Sequence, residues 1–98
     1  MLPRRRVAAV WFMPTISRFY GIAIEMFWND HAPPHFHARY AEWEASISIA
    51  TLEVLHGELP RHAMALTLEW AAVHRTELME NWDQCARKHP PRQIPGLE

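Results

Sequence analysis

The longest part of this sequence without Gly or Pro runs from residue 61 to residue 89, and it constrains the fold more than any other feature. Pro60, immediately before it, suits the first turn of a helix. Apolar residues then recur at intervals of three and four, the spacing of one buried helix face; they are Leu59, Ala63, Leu66, Trp70 and Val73. The pattern predicts one long helix over residues 61–88, about 40 Å in length.

The apolar stripe slips by one position after residue 74. It restarts at Leu78, Trp82 and Cys85. This slip predicts either a bend in the helix or a second half of the helix that leaves the sheet and packs against another surface. Leu78, Met79 and Trp82 are therefore candidate interface residues for a partner protein or a second copy of the chain.

The first half of the chain has the two-residue period of strands. The period is clearest in Ile22–Trp28, His35–Tyr40 and Glu44–Ala50, and Thr51–Leu55 reads as a further short strand. The strands precede the helix rather than alternating with it, which argues against a doubly wound sheet. The prediction is a small α+β domain with a three- to four-stranded antiparallel sheet packed against one long C-terminal helix.

A chain of 98 residues with 49% apolar residues and five Trp is expected to form one globular domain. We expect that domain over residues 13–88, with residues 1–12 as a flexible extension and residues 89–98 as a flexible tail after Pro90 and Pro91. A single cysteine, Cys85, excludes an intrachain disulfide and fits a reducing cytoplasm.

The apolar run Val7–Met13 follows three arginines and superficially resembles a signal peptide. It is at the short end for such a segment, ends at Pro14 without a small-residue cleavage site, and is far too short to span a bilayer. The sequence therefore predicts a cytoplasmic protein that does not enter the membrane.

Three of the seven histidines fall within the stretch Asp30–His37. Its two prolines hold the chain in a stiff turn, and the strand that follows places His35, His37 and Arg39 on one face. Two imidazoles on one face can bind a metal or act as an acid and a base. The alternative is that both are surface residues flanking a buried Phe36.

A second polar group lies on the predicted helix. His74, Glu77 and Asn81 follow one another at three and four residues and share a face. His74 is a candidate catalytic residue if this face meets the His35/His37 face; otherwise the group is a solvated helix surface.

The charge balance counts against nucleic acid as a partner. The net charge is −1, and without residues 1–12 the basic residues fall from 10 to 7 against 11 acidic ones, a balance of −4. Nucleic-acid binding normally requires a basic face. RNA binding remains an alternative only if Arg18, Arg39 and Arg61 form a local basic patch.

The sequence resembles the domain-of-unknown-function family 4160 over about residues 13–87. The resemblance rests on three blocks, of which the Pro-Pro-His-Phe-His motif is the most specific: Met13–Ile22, Asp30–Tyr40, and the helical residues Glu69, Trp70, His74, Arg75, Glu77, Leu78, Asn81 and Trp82. The resemblance implies a small bacterial protein without an established activity, encoded beside a second small protein in what has been viewed as a toxin–antitoxin module. It also implies that Met13 corresponds to the usual start of the family.

Three functions are consistent with these features. The first is a component of such a two-protein module, RNA-directed if enzymatic, with His35, His37 or His74 as acid or base and Arg39 or Arg18 on a phosphate. The second is a non-enzymatic module that binds a small cognate partner or itself. The third is a metal-binding domain that uses His35 and His37 with Asp30, His31 or His74. A divalent metal is the one cofactor that the sequence allows for.

Overall fold

The computed structural model describes residues 14–98 of the chain and gives an α+β fold. Within this range, five strands form one antiparallel sheet in sequence order, each beside the next. They are β1 (Thr15–Phe19), β2 (Ile22–Glu25), β3 (His35–Tyr40), β4 (Trp43–Ser48) and β5 (Val54–Glu58). The antiparallel α+β prediction is confirmed, but the number of strands, three to four, was wrong. The expected extension, residues 1–12, lies outside the described residues.

The strand absent from the prediction is β1, and the predicted short strand Thr51–Leu55 corresponds to β5, which begins at Val54 and continues to Glu58. Gly57 lies within β5 at a φ of +74°. A Cβ atom at this position would lie 2.2 Å from the carbonyl oxygen of Glu44, so the backbones of β4 and β5 approach each other closely here. Glycine therefore allows the pairing of β5 with β4 rather than ending the sheet.

The C-terminal half forms two helices, α1 (Arg61–Val73) and α2 (Arg75–Ala86), rather than one. The break falls at His74, whose φ of −114° and ψ of 25° leave the helical range. The break coincides with the slip in the apolar stripe. The second half does not leave the sheet, however, because Leu78 and Cys85 are buried in the same core as Trp70. Neither helix in residues 14–98 has the length and apolar character needed to cross a bilayer.

Both helices pack on one face of the sheet. That face carries the buried apolar residues of the three central strands, which are Ile22, Ile24, Phe36, Ala38, Ala45 and Ile47. The opposite face carries polar side chains, among them Glu25, His37, Arg39 and Ser46. We call this second surface the open face.

The C-terminal segment 92–97, here called the C-terminal strap, packs along the outer edge of β1. The amide of Ile94 donates to the carbonyl of Ile16 over 2.8 Å, and the Trp70 indole Nε1 donates to the carbonyl of Pro95 over 2.8 Å. Ile94 is buried in the core. The expectation of a loose tail over residues 89–98 is therefore corrected for the strap, because it is attached by one buried apolar side chain, one backbone–backbone hydrogen bond and further bonds from the side chains of Trp70 and Asn81.

Asn81 fastens the strap to α2, and its loss is expected to be costly. Its Nδ2 donates to the carbonyl of Arg92 and its Oδ1 accepts from the amide of Arg92, each over 2.8 Å, in a site where Asn81 is buried. Asn81→Ala should lower the free energy of unfolding by about 1–3 kcal/mol, measured by urea denaturation. Asp83→Ala, at an exposed position of α2, is the control; a loss no larger than the control's would contradict this role.

Candidate functional site

The polar cluster lies at one end of the sheet, where the loop of residues 26–34 joins β2 to β3. The loop is attached at two points: the amide of Asn29 donates to the carbonyl of Cys85 over 3.0 Å, and the carbonyl of Pro34 accepts from Ile49 over 3.0 Å. The peptide bond between Ala32 and Pro33 is cis. The loop is thus held between α2 and the end of β4.

Two histidines of β3 meet one carboxylate oxygen of this loop. The Nε2 atom of His35 lies 3.0 Å and the Nε2 atom of His37 lies 3.3 Å from Oδ2 of Asp30. One nitrogen from each histidine and one Asp30 oxygen all lie within 4.8 Å of one another. The alternation of the strand points both imidazoles the same way, and the loop brings the acid to them.

Hydrogen bonding fixes the tautomer of neutral His35. Its Nδ1 lies 2.7 Å from the carbonyl oxygen of Pro33, and since a carbonyl can only accept, Nδ1 carries a proton. Nε2 of the neutral ring then presents a lone pair to the Asp30 carboxylate. Two lone pairs at 3.0 Å require either a proton between them, carried by the ring or by the carboxyl group, or a metal ion that both atoms bind.

His37 is oriented from three sides. Its Nδ1 lies 3.3 Å from Oγ of Ser46 and 3.6 Å from Oε2 of Glu44. Its ring stacks on Phe27 with centroids 4.0 Å apart and planes 12° from parallel. Groups that hydrogen-bond the far nitrogen of a metal-binding imidazole are typical of metal sites, because they orient the ring and raise its basicity.

His31 contacts the other oxygen of Asp30. Its amide donates to Oδ1 over 2.9 Å and its Nδ1 lies 3.1 Å from the same atom. His31 thereby turns Oδ2 towards His35 and His37 and is not part of the three-residue group, which corrects its selection as a metal ligand. Burial alone would raise the pKa of Asp30, but the His31 amide, the His37 hydrogen bond and the nearby histidine charges together hold that pKa below its ordinary value.

The distances from Asp30 to the two histidines fit the dimensions of a mononuclear metal site. Ligands about 2.0–2.1 Å from a tetrahedral Zn²⁺ lie roughly 3.3 Å from one another. The distances of 3.0 and 3.3 Å from Oδ2 of Asp30 match that spacing. Two imidazoles and one carboxylate form a donor set that suits zinc or ferrous iron and leaves coordination positions for water or substrate.

A cavity of about 470 Å³ opens directly onto this cluster. Asp30, His35 and His37 lie in its wall, together with the apolar side chains of Phe27, Pro33 and Leu55. A ligand bound in the cavity would reach the three donor atoms.

One family model, described as a domain of unknown function (DUF4160), matches residues 21–83 of the chain. The chain belongs to this family. No curated protein and no solved structure matches it. The match includes Asp30, His35 and His37, whereas β1 and the C-terminal strap lie outside the matched range.

Two of the predicted catalytic residues of this DUF4160 protein do not join the cluster. Arg39 lies on the open face, but its guanidinium contacts Glu25 at 3.1 Å and Glu44 at 3.9 Å and does not line the cavity. The hydrogen bond and charge of Glu25 raise the pKa of Arg39. His74 lies at the break between the helices, where its Nδ1 pairs with Glu77 and its ring packs on Trp70. Arg18 is exposed on β1 and lines no part of the cavity.

The predicted interface residues fall into three environments. Leu78 is fully buried in the core, which removes it from any interface of the folded chain. Met79 is 38% exposed. Trp82 is partly buried, with its ring centroid 5.3 Å from that of His35, so it borders the cluster rather than facing a partner. This correction follows from the packing of α2 on the same sheet face as α1.

Four residues around the cluster were not predicted from the sequence: Phe27, Glu44, Ser46 and His56. The missing information was the cross-strand register, which pairs His37 with Ser46 and Ser46 with His56 across three strands. The alternation of β4 does place Glu44 and Ser46 on one face, and that signal could have identified them once the register was known.

Proposed function

We propose that this protein binds one divalent transition-metal ion, Zn²⁺, through Asp30, His35 and His37, with an open coordination position that faces the cavity. The observation that carries the proposal is the meeting of two imidazole Nε2 atoms on one carboxylate oxygen. Nδ1 of His35 donates to the carbonyl of Pro33, so Nε2 of the neutral ring carries a lone pair. A cation bound to both this Nε2 atom and Oδ2 of Asp30 satisfies the lone pairs of both atoms.

Three protein ligands beside an accessible cavity are the arrangement of catalytic zinc sites, whereas structural sites use four. Zn²⁺ bound in this way lowers the pKa of a coordinated water to about 7 and polarises carbonyl oxygens. Hydrolysis of the acyl C–O or C–N bond of an ester or amide is therefore the reaction class that the proposed site supports best.

The metal proposal has more support than metal-free cleavage of RNA. Cleavage of that kind needs a cation near the developing phosphate charge, and among residues 14–98 no Lys or Arg lines the cavity. Arg39, the nearest predicted candidate, is occupied by Glu25 and Glu44. Membership of a toxin–antitoxin module, with a small partner protein or a second copy, remains a prediction to be checked by co-purification.

Metal uptake tests the proposal directly. Protein without an affinity tag, dialysed against a chelator, should bind one Zn²⁺ per chain in a calorimetric titration. Asp30→Asn should weaken binding by at least about tenfold, because replacing the carboxylate with an amide removes the anionic ligand. His62→Gln, a change to an exposed histidine on α1, is the matched control and should bind zinc as the wild type does. Equal zinc affinity in the wild type and Asp30→Asn would refute the proposed site.

A further inference from the structure

A bulge in the edge strand brings an apolar side chain into the cavity. Ser46 pairs with His56 and Ile47 pairs with Val54, so Leu55 is an extra residue without a partner on β4. Neighbouring residues of a regular strand point to opposite faces, yet Leu55 and His56 both line the cavity. Bulges beside functional sites re-aim side chains in this way.

The apolar part of the wall is continuous with the metal-binding cluster. Phe27 stacks on His37, one of the proposed ligands, and also lines the cavity, as do Leu55 and Pro33. A ligand whose donor group reached the metal would therefore place the rest of its body against these side chains.

The charged residues near the cavity do not favour a polyanion. Asp30 is the carboxylate in the cavity wall, Glu44 lies 3.6 Å from His37, and no Lys or Arg from the described part of the chain is in the wall. A divalent ion would offset these two negative charges and leave little net positive charge for several phosphates.

We infer that the cavity takes a small ligand with one metal-coordinating oxygen group and an apolar body, and that Leu55 selects for the apolar body. The inference rests on the proposed metal site and adds the class of substrate to it. Esters or amides with an apolar acyl group have this chemistry, whereas nucleotides and nucleic acids do not.

The contributions of the cavity wall and of the metal to ligand affinity can be separated with two hydroxamates. Both carry the same metal-binding group, but they differ in the size of the apolar body. With the zinc-loaded protein, benzohydroxamate should bind about tenfold more tightly than acetohydroxamate, because its phenyl ring is transferred from water to the apolar wall of the cavity. Leu55→Ala should reduce this ratio to about threefold or less. Val54→Ala, at an exposed position on the same strand that does not line the cavity, should leave the ratio unchanged.

The zinc affinity of each variant is measured first, so the two ideas can fail separately. A wild-type protein that binds no zinc overturns both the metal site and the ligand class. Normal zinc binding with equal affinity for the two hydroxamates overturns only the ligand class. Tighter binding of inorganic pyrophosphate than of benzohydroxamate to the zinc-loaded protein also overturns it, in favour of a phosphate ligand.

Discussion

Trp70→Ala is expected to lower the free energy of unfolding by about 3–5 kcal/mol, as truncations of core aromatic residues do. Trp70 is fully buried, and its ring lies 5.3 Å from Phe19 of β1 and 6.1 Å from Phe36 of β3. Its indole nitrogen also holds the strap at Pro95. The substitution therefore leaves a cavity between helix and sheet and leaves the Pro95 carbonyl without its donor.

Two further variants separate these contributions in urea denaturation. Trp70→Phe keeps most of the packing but loses the bond to Pro95, and should cost roughly 1–3 kcal/mol. Val73→Ala, on the same helix at a side chain that is 72% exposed, should cost less than about 0.5 kcal/mol. A loss below about 1 kcal/mol for Trp70→Ala would contradict its place at the centre of the core.

Replacement of both His35 and His37 with Gln should abolish the stabilisation that zinc gives to the wild type. A ligand that binds only the folded state adds about 2.7 kcal/mol at a free concentration one hundred times its dissociation constant. For a domain of this size that corresponds to a rise in melting temperature of about 10 °C or more. The double variant should melt at the same temperature with and without zinc.

The comparison is made within each variant because His35 also has a structural role. It is buried and donates to Pro33, so the double variant is expected to melt below the wild type even without metal. His62→Gln combined with His89→Gln removes two exposed histidines and is the matched control. If zinc raised the melting temperature of the His35/His37 variant as much as that of the wild type, its binding site would lie elsewhere.

The periodicity of the sequence was sufficient to predict the central strands and the helical character of the C-terminal half. In β3 a two-residue alternation separates Phe36 and Ala38, in the core, from His37 and Arg39 on the open face. The same pattern predicted a short strand at Thr51–Leu55 but not its continuation through Gly57 to the end of β5, because the bulge at Leu55 interrupts the alternation and Gly57 by itself signals a turn. The position at which the helices divide was visible as a slip in the apolar stripe, but the direction of α2 depended on tertiary packing.

The candidate site was predictable only in part for a similar reason. His35 and His37 are two residues apart, so local geometry alone orients them together. The approach of Asp30 depends on the path of a loop between two strands, and the approach of Ser46 depends on the register between β3 and β4. Neither is encoded in a short window of sequence.

The C-terminal strap leaves the sheet with two unlike edges. The outer edge of β1 is occupied by the strap, whereas β5 is the last strand at the other edge among residues 14–98. A sheet can extend through successive molecules only if each molecule has two available sheet edges. With a single available edge, association through the sheet ends at a closed pair. Loss of the strap would expose a second edge, and molecules with two available edges would be able to pair on both sides and extend into a fibre.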